Sequence, residues 1–194
     1  MESFLSDDEL KKIGFKRYGK NVKISRYALF YGAENMELGD NVRVDDYCRL
    51  SGKIIIGSFV HVSAFAALYG NVAGICLEDY TSVSVRATVL ASSEDFSGEC
   101  MINSTVPDEF KKIILGEVKV GKHGVIGASC VVLPGVEVKE GTCIGAMSLV
   151  NKSTEAWSIY VGSPAKKLKN RSKRLLEKEK LLLEQNETNC PELI

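Results

Sequence analysis

The sequence predicts an all-β solenoid, a parallel β-helix of stacked hexapeptide coils, on three observations. The first is a six-residue period of branched aliphatics. It runs through Leu38, Val44, Leu50, Ile56, Val62 and Leu68, resumes after a three-residue insertion at Leu77, Val83 and Val89, and returns at Val120, Ile126, Val132, Val138, Ile144 and Val150. The second is that positions two before these are mostly small or apolar, as at Val42, Cys48, Ile54, Val60, Ala66, Cys130 and Val136. Side chains two apart on a strand share a face, so each pair points inward together. The third is the glycine that often follows the aliphatic, at Gly39, Gly57, Gly121, Gly127 and Gly145, where the backbone must turn. A period of six suits neither a helix nor one alternating strand; it suits short strands and turns stacked coil upon coil. A sandwich spaces its turns at roughly 8–12 residues and does not hold one phase through fifteen aliphatics.

The whole chain, 1–194, reads as one domain. Residues 1–20 form an N-terminal helical segment, in which Ser6-Asp7-Asp8-Glu9 has capping-box spacing. The β-helix spans 21–162 and is interrupted by a long loop at about 91–117, with one short helix-like piece around Asp108–Ile113. Loops of this length in compact domains tend to be functional. Residues 163–194 are expected to form a C-terminal helix, about Ala165 to Gln185, and a frayed tail from Asn186 to Ile194. Lys166, Lys167, Lys169, Arg171, Lys173 and Arg174 open that segment; a charge run is by default a solvated face, but its place after Gly162-Ser163-Pro164-Ala165 also suits phosphate.

Twenty-five Lys and Arg balance twenty-five Asp and Glu, so no global field recruits nucleic acid or membrane. No apolar stretch approaches the roughly 20 residues of a membrane span. The N-terminus lacks the basic and apolar regions of a secretory signal, so a cytoplasmic protein is expected. The six cysteines show no C-x-x-C pairing; Cys48 and Cys130 read as reduced core fillers.

The segment from Val120 to Lys169 is the most specific: Val120-Gly121, Ile126-Gly127-Ala128, Leu133-Pro134-Gly135-Val136, Ile144-Gly145-Ala146, Val150-Asn151-Lys152 and Gly162-Ser163-Pro164-Ala165-Lys166. On these residues the chain resembles the hexapeptide-repeat acyltransferases, and within them is most similar to the bacterial sugar O- and N-acetyltransferases of surface-polysaccharide pathways. The resemblance implies a left-handed β-helix, against the usual hand of parallel crossovers. It also implies a homotrimer with sites in grooves between subunits, acetyl-CoA as co-substrate, and a sugar or nucleotide-linked amino sugar as acceptor. Gly127-Ala128 and Gly145-Ala146 lie eighteen positions apart, one coil, so they should stack as a strip of small residues that an extended pantetheine arm can follow. By resemblance, Ala128 and Ala146 line the pantetheine, Asn151 and Lys152 sit near the nucleotide end, and Lys166 and Lys169 meet phosphate.

Acyl transfer from a thioester needs a base, oxyanion stabilisation and alignment. The family's histidine usually stands where the chain enters the long loop, but here that stretch, Ala91 to Glu99, has none. Of the two histidines, His61 reads as an inert surface or turn residue and His123 as the candidate base. Alternatively an already nucleophilic amine attacks with proximity as the main help. Glu94, Asp95, Ser97 and Glu99 of the acidic loop are expected to hold the acceptor, since carboxylates accept several hydrogen bonds; an exposed polar loop is the bland alternative. Two other functions fit the fold. A non-catalytic scaffold would not need the Gly-Ala strip and basic segment. A γ-type carbonic anhydrase needs three histidines around zinc, and this chain has two, 62 residues apart, so no metal is expected.

Overall fold

The computed structural model describes residues 3–188; the tail expected from Asn186 is helical as far as Thr188, and its remainder, 189–194, lies outside the described residues. The chain is a left-handed parallel β-helix of triangular section. The first face stacks Arg17–Tyr18, Met36–Leu38, the ends of Arg49–Ile56 and Ala67–Leu77, Val118–Val120 and Glu137–Val138. The second stacks Lys23–Ile24, Arg43–Val44, His61–Val62, Ser82–Val83, Val125–Ile126, Cys143–Ile144 and Ser158–Val161. The third stacks Leu29–Tyr31, the starts of Arg49–Ile56 and Ala67–Leu77, Thr88–Leu90, Val131–Val132 and Leu149–Val150. Counting down the second face, Lys23 opens the first coil, Arg43 the second, His61 the third, Ser82 the fourth, Val125 the fifth, Cys143 the sixth and Ser158 a partial seventh.

The six-residue period supplies the core. Leu38, Ile56, Leu77, Val120 and Val138 fill one buried column, Val44, Val62, Val83, Ile126 and Ile144 the second, and Leu50, Leu68, Val89, Val132 and Val150 the third. Each such side chain contributes about 1.5–3 kcal/mol on burial. Between faces, one residue per corner takes a left-handed conformation: Asn41, Phe59, Tyr80, His123, Gly141 and Trp157 at the first corner, and Tyr47, Phe65, Arg86, Ser129 and Met147 at the second.

Helix α1 (Asp7–Ile13) has the Ser6–Glu9 capping box and buries Leu10 against the top of the stack. The third corner carries the excursion, built on an antiparallel hairpin of Ser92–Glu94 with Ile113–Leu115. Its expected helical piece is only a 3-10 turn, Asp108–Phe110, because the chain must extend by Ile113 to pair with Glu94.

The C-terminal expectation needs a larger correction. Lys166–Asn170 is a strand, antiparallel to Ser158–Val161, and the helix, α2, starts at Leu175 and ends at Thr188. The last coil leaves one edge of the second face unpaired, and closing that edge outweighs the helix propensity of lysine and leucine.

Candidate active site

The structure distributes the expected site residues over three corners of one prism. At the first corner the left-handed residues form a column of rings. Phe59 stacks on Tyr80 with centroids 5.0 Å apart, and Tyr80 on His123 at 5.1 Å. Gly141 contributes no side chain in the next coil, so Trp157 leans across and its ring lies 6.1 Å from His123. His123 is therefore 7% exposed. Its Nε2 lies 2.8 Å from Glu179 Oε2 on α2, and the Lys122 ammonium pairs with the other oxygen of that carboxylate. Burial pushes the Glu179 carboxyl up, but the hydrogen bonds from Lys122 and His123 outweigh it and leave it below the usual carboxylate value. Arg171 completes the junction, its Nη1 donating to the carbonyls of His123 at 2.8 Å and Gly141 at 3.0 Å. The expected outward-facing base thus sits inside a ring stack, tied to the C-terminal helix.

The second corner holds the strip. The Gly127 amide donates to the Ile144 carbonyl at 2.9 Å, and the Met147 amide to that of Ala128 at 2.8 Å, so Gly127-Ala128 lies directly on Gly145-Ala146. A Cβ on Gly127 would meet the Ile144 oxygen at 2.5 Å; only glycine allows this approach. Ala128 is half-buried and Ala146 exposed. Below them the exposed Lys166 pairs with Val161, at the foot of the strip, while Lys169 pairs with Ile159 farther across the second face. Asn151 and Lys152 are exposed but stand at the third corner, one face away from the strip.

Above the strip the same corner becomes polar and aromatic. Tyr27, Tyr47 and Phe65 stack with centroids 5.5 and 5.0 Å apart, and the Arg86 guanidinium covers Phe65 at 6.0 Å. Beside this ladder, on the second face, lies a group that the sequence reading passed over. His61 Nε2 is 2.7 Å from Asp45 Oδ2, and Arg43 Nε is 2.6 Å from Asp45 Oδ1. Burial raises the Asp45 carboxyl, but the hydrogen bonds from Arg43 and His61 prevail and hold it below its ordinary value. No sequence signal short of the fold links residue 45 to residue 61; coil stacking does so.

At the third corner, Asp95 is buried at the base of the excursion. Its Oδ1 accepts from the Ser97 amide at 2.9 Å, and Lys112 Nζ lies 3.5 Å from Oδ2. Hydrogen bonds from Ser97, with Lys112 beside them, hold this carboxyl below the usual range. Glu94 Oε1 accepts from the Asn103 amide at 2.7 Å, and Ser97 Oγ from the Glu99 amide at 3.2 Å. Asp95 and Glu94 therefore shape the loop, leaving the side chains of Ser97 and Glu99 exposed. Among the described residues no group of three His, Cys, Asp or Glu side chains is placed to share a metal ion, and no helix is long and apolar enough to cross a membrane.

A β-helix with a glycine–alanine strip, a basic foot and a corner excursion defines the class: the chain belongs to the hexapeptide-repeat acyltransferases. It is an acyltransferase that uses a coenzyme A thioester, which replaces the scaffold alternative. No family model matches the sequence. It is 42% identical over 180 residues to a dTDP-4-amino-4,6-dideoxy-D-glucose acyltransferase of Escherichia coli, covering 91% of this chain and 93% of that one. A chloramphenicol acetyltransferase of Klebsiella aerogenes is 31% identical over 157 residues, covering 78% of this chain and 68% of the relative. Among solved structures, AntD, an N-acyltransferase from Bacillus cereus in complex with dTDP and 3-hydroxybutyryl-CoA, superposes with a TM-score of 0.94 at 44% identity, over 96% of this chain and all of that one.

Proposed function

We propose that the protein transfers an acyl group, acetyl in the simplest case, from coenzyme A to the amino group of a dTDP-linked 4-amino-4,6-dideoxy sugar. The observation that carries this reading is the near end-to-end match, 42% identical over 91% of the chain, to an enzyme named for that acceptor. In this reading Gly127, Ala128, Gly145 and Ala146 seat the pantetheine, and Lys166 meets phosphate at the foot of the strip. Lys169, Asn151 and Lys152 serve the nucleotide end of the cofactor from the adjoining faces. The excursion brings Glu94, Asp95, Ser97 and Glu99 to the acceptor.

One prism does not join these groups, because the strip and the excursion occupy different corners. A homotrimer supplies the missing juxtaposition: packing three prisms around an axis sets one subunit's corner against another's and makes long clefts. The arm itself carries exposed apolar side chains suited to a neighbouring surface, among them Phe96, Met101, Phe110 and Ile114. His123, held in its stack and by Glu179, is assigned to anchoring α2 and not to catalysis. Both co-substrates belong to cytoplasmic pools, so we place the enzyme there, making a modified sugar for surface polysaccharide. Mass spectrometry of a reaction with acetyl-CoA and dTDP-4-amino-4,6-dideoxyglucose tests the assignment. The expected product is the N-acetylated nucleotide sugar; unchanged acceptor after complete incubation would refute it.

A further inference from the structure

The excursion holds an apolar pocket with one acidic wall. Asp95, Phe96, Gly98, Cys100, Met101 and Ile102 line a cavity of about 360 Å³, the size of a small-ligand site. Phe96 is 77% exposed, Met101 57% and Ile102 44%, an open apolar surface gathered around a single buried carboxylate. The backbone beneath it is fixed. The Met101 amide donates to the Phe110 carbonyl at 2.9 Å, the Asn103 amide to Glu94 Oε1 at 2.7 Å and the Ser97 amide to Asp95 Oδ1 at 2.9 Å. The walls are therefore held in place before any ligand arrives. The pocket also stands at the height of the strip. The excursion leaves the prism after Thr88–Leu90 of the fourth coil and returns at Val118–Val120 of the fifth. Gly127-Ala128, the upper end of the strip, belongs to that fifth coil.

Resting on the acceptor and trimer readings above, we propose that this pocket takes the C6 methyl of the acceptor sugar and so selects 6-deoxy sugars over their 6-hydroxylated counterparts. A 4-amino-4,6-dideoxy sugar carries its amine on C4 and its methyl on C5, adjacent ring carbons. One flank of the ring is thus polar immediately beside apolar. The pocket repeats that pattern, with the Asp95 carboxylate next to Phe96, Met101 and Ile102. Rotation about an axis parallel to the prism leaves every coil at its own height. Three third faces turned to that axis set the excursion of one subunit beside the strip of the next, at the level of the fifth coil. The methyl then enters the pocket while the amine stays between Asp95 and the thioester. A 6-hydroxyl in the same position would lose its water against Phe96, Met101 and Ile102 and gain no hydrogen bond from them.

The test measures kcat/KM with acetyl-CoA for dTDP-4-amino-4,6-dideoxyglucose and for dTDP-4-amino-4-deoxyglucose, which differs only by the 6-hydroxyl. The readout is the ratio of the two in one enzyme preparation, which does not depend on how much of that preparation folds or assembles. Wild type should favour the 6-deoxy acceptor by about 10–100-fold, the range in which an apolar pocket rejects an added hydroxyl. Met101→Gln and Ile102→Asn put an amide where the hydroxyl would lie, and at least one should lower the ratio about tenfold. A wild-type ratio below about tenfold would overturn the inference and leave the acceptor reading in place. So would a ratio that neither variant lowers, including by losing both activities together. A wild type inactive on the 6-deoxy acceptor would overturn the acceptor reading and the inference with it.

Discussion

Gly141 decides the character of the first corner by what it lacks. It holds a φ of 66°, and any Cβ there would run into the indole of Trp157, which occupies the vacant side-chain position beneath His123. Gly141→Val should therefore cost about 1–3 kcal/mol, from overpacking and the left-handed backbone together, read as a lower denaturant midpoint. At the second corner the effect of a side chain is different in kind. Ala146 faces outward with space around it, so Ala146→Glu should leave the midpoint unchanged. It should raise KM for acetyl-CoA about tenfold, the equivalent of roughly 1.4 kcal/mol, by placing a carboxylate in the path proposed for the pantetheine. At this scale the sequence was half legible. Gly127-Ala128 over Gly145-Ala146 follows from counting eighteen residues, because the period itself sets which residues stack. The histidines did not follow, because their environments depend on partners sixteen and fifty-six residues away that only folding assembles.

At the scale of elements, α2 is held where the ring column meets its acidic face. Glu179 receives both His123 and Lys122, so Glu179→Gln should cost about 1.5–3 kcal/mol at neutral pH, the range for hydrogen bonds to charged groups. The pH dependence has a definite sign. A carboxyl whose folded pKa is depressed contributes its full stability above its unfolded pKa and loses it as pH falls through the folded value. The unfolded reference for Glu179 is 4.5, so the gap between wild type and Glu179→Gln should be constant above that and shrink below it. Denaturant melts of both proteins across that range, with hydrogen exchange along Leu175–Gln185 as the local probe, check this. The departure from expectation in this region has one cause. Lys166–Asn170 has a helix-forming composition, but the open edge of the last coil offers it a ladder of backbone partners. Local propensity cannot report an edge that exists only after seven coils have stacked.

For the whole molecule, the inward columns were readable in advance because a strict period of six puts each aliphatic above its counterpart, and the structure buries all fifteen. A solenoid core is continuous, so a cavity in one coil is felt by both neighbours. Ile126→Ala, in the middle of the second column, should cost about 2–5 kcal/mol in a denaturant melt. The corner identities were less legible, since the period locates a corner without saying which ligand passes it. Strip, ring stack and excursion stand on three separate corners of one prism, and the proposed trimer is the arrangement that would bring the strip and the excursion together. The central claim is that the protein acylates an amine on a nucleotide-linked sugar. The most direct measurement is the rate of coenzyme A release from acetyl-CoA with dTDP-4-amino-4,6-dideoxyglucose against the same nucleotide sugar bearing a 4-hydroxyl. The account predicts saturable release with the amine and background release with the hydroxyl; equal rates with both, or release with neither, would contradict it.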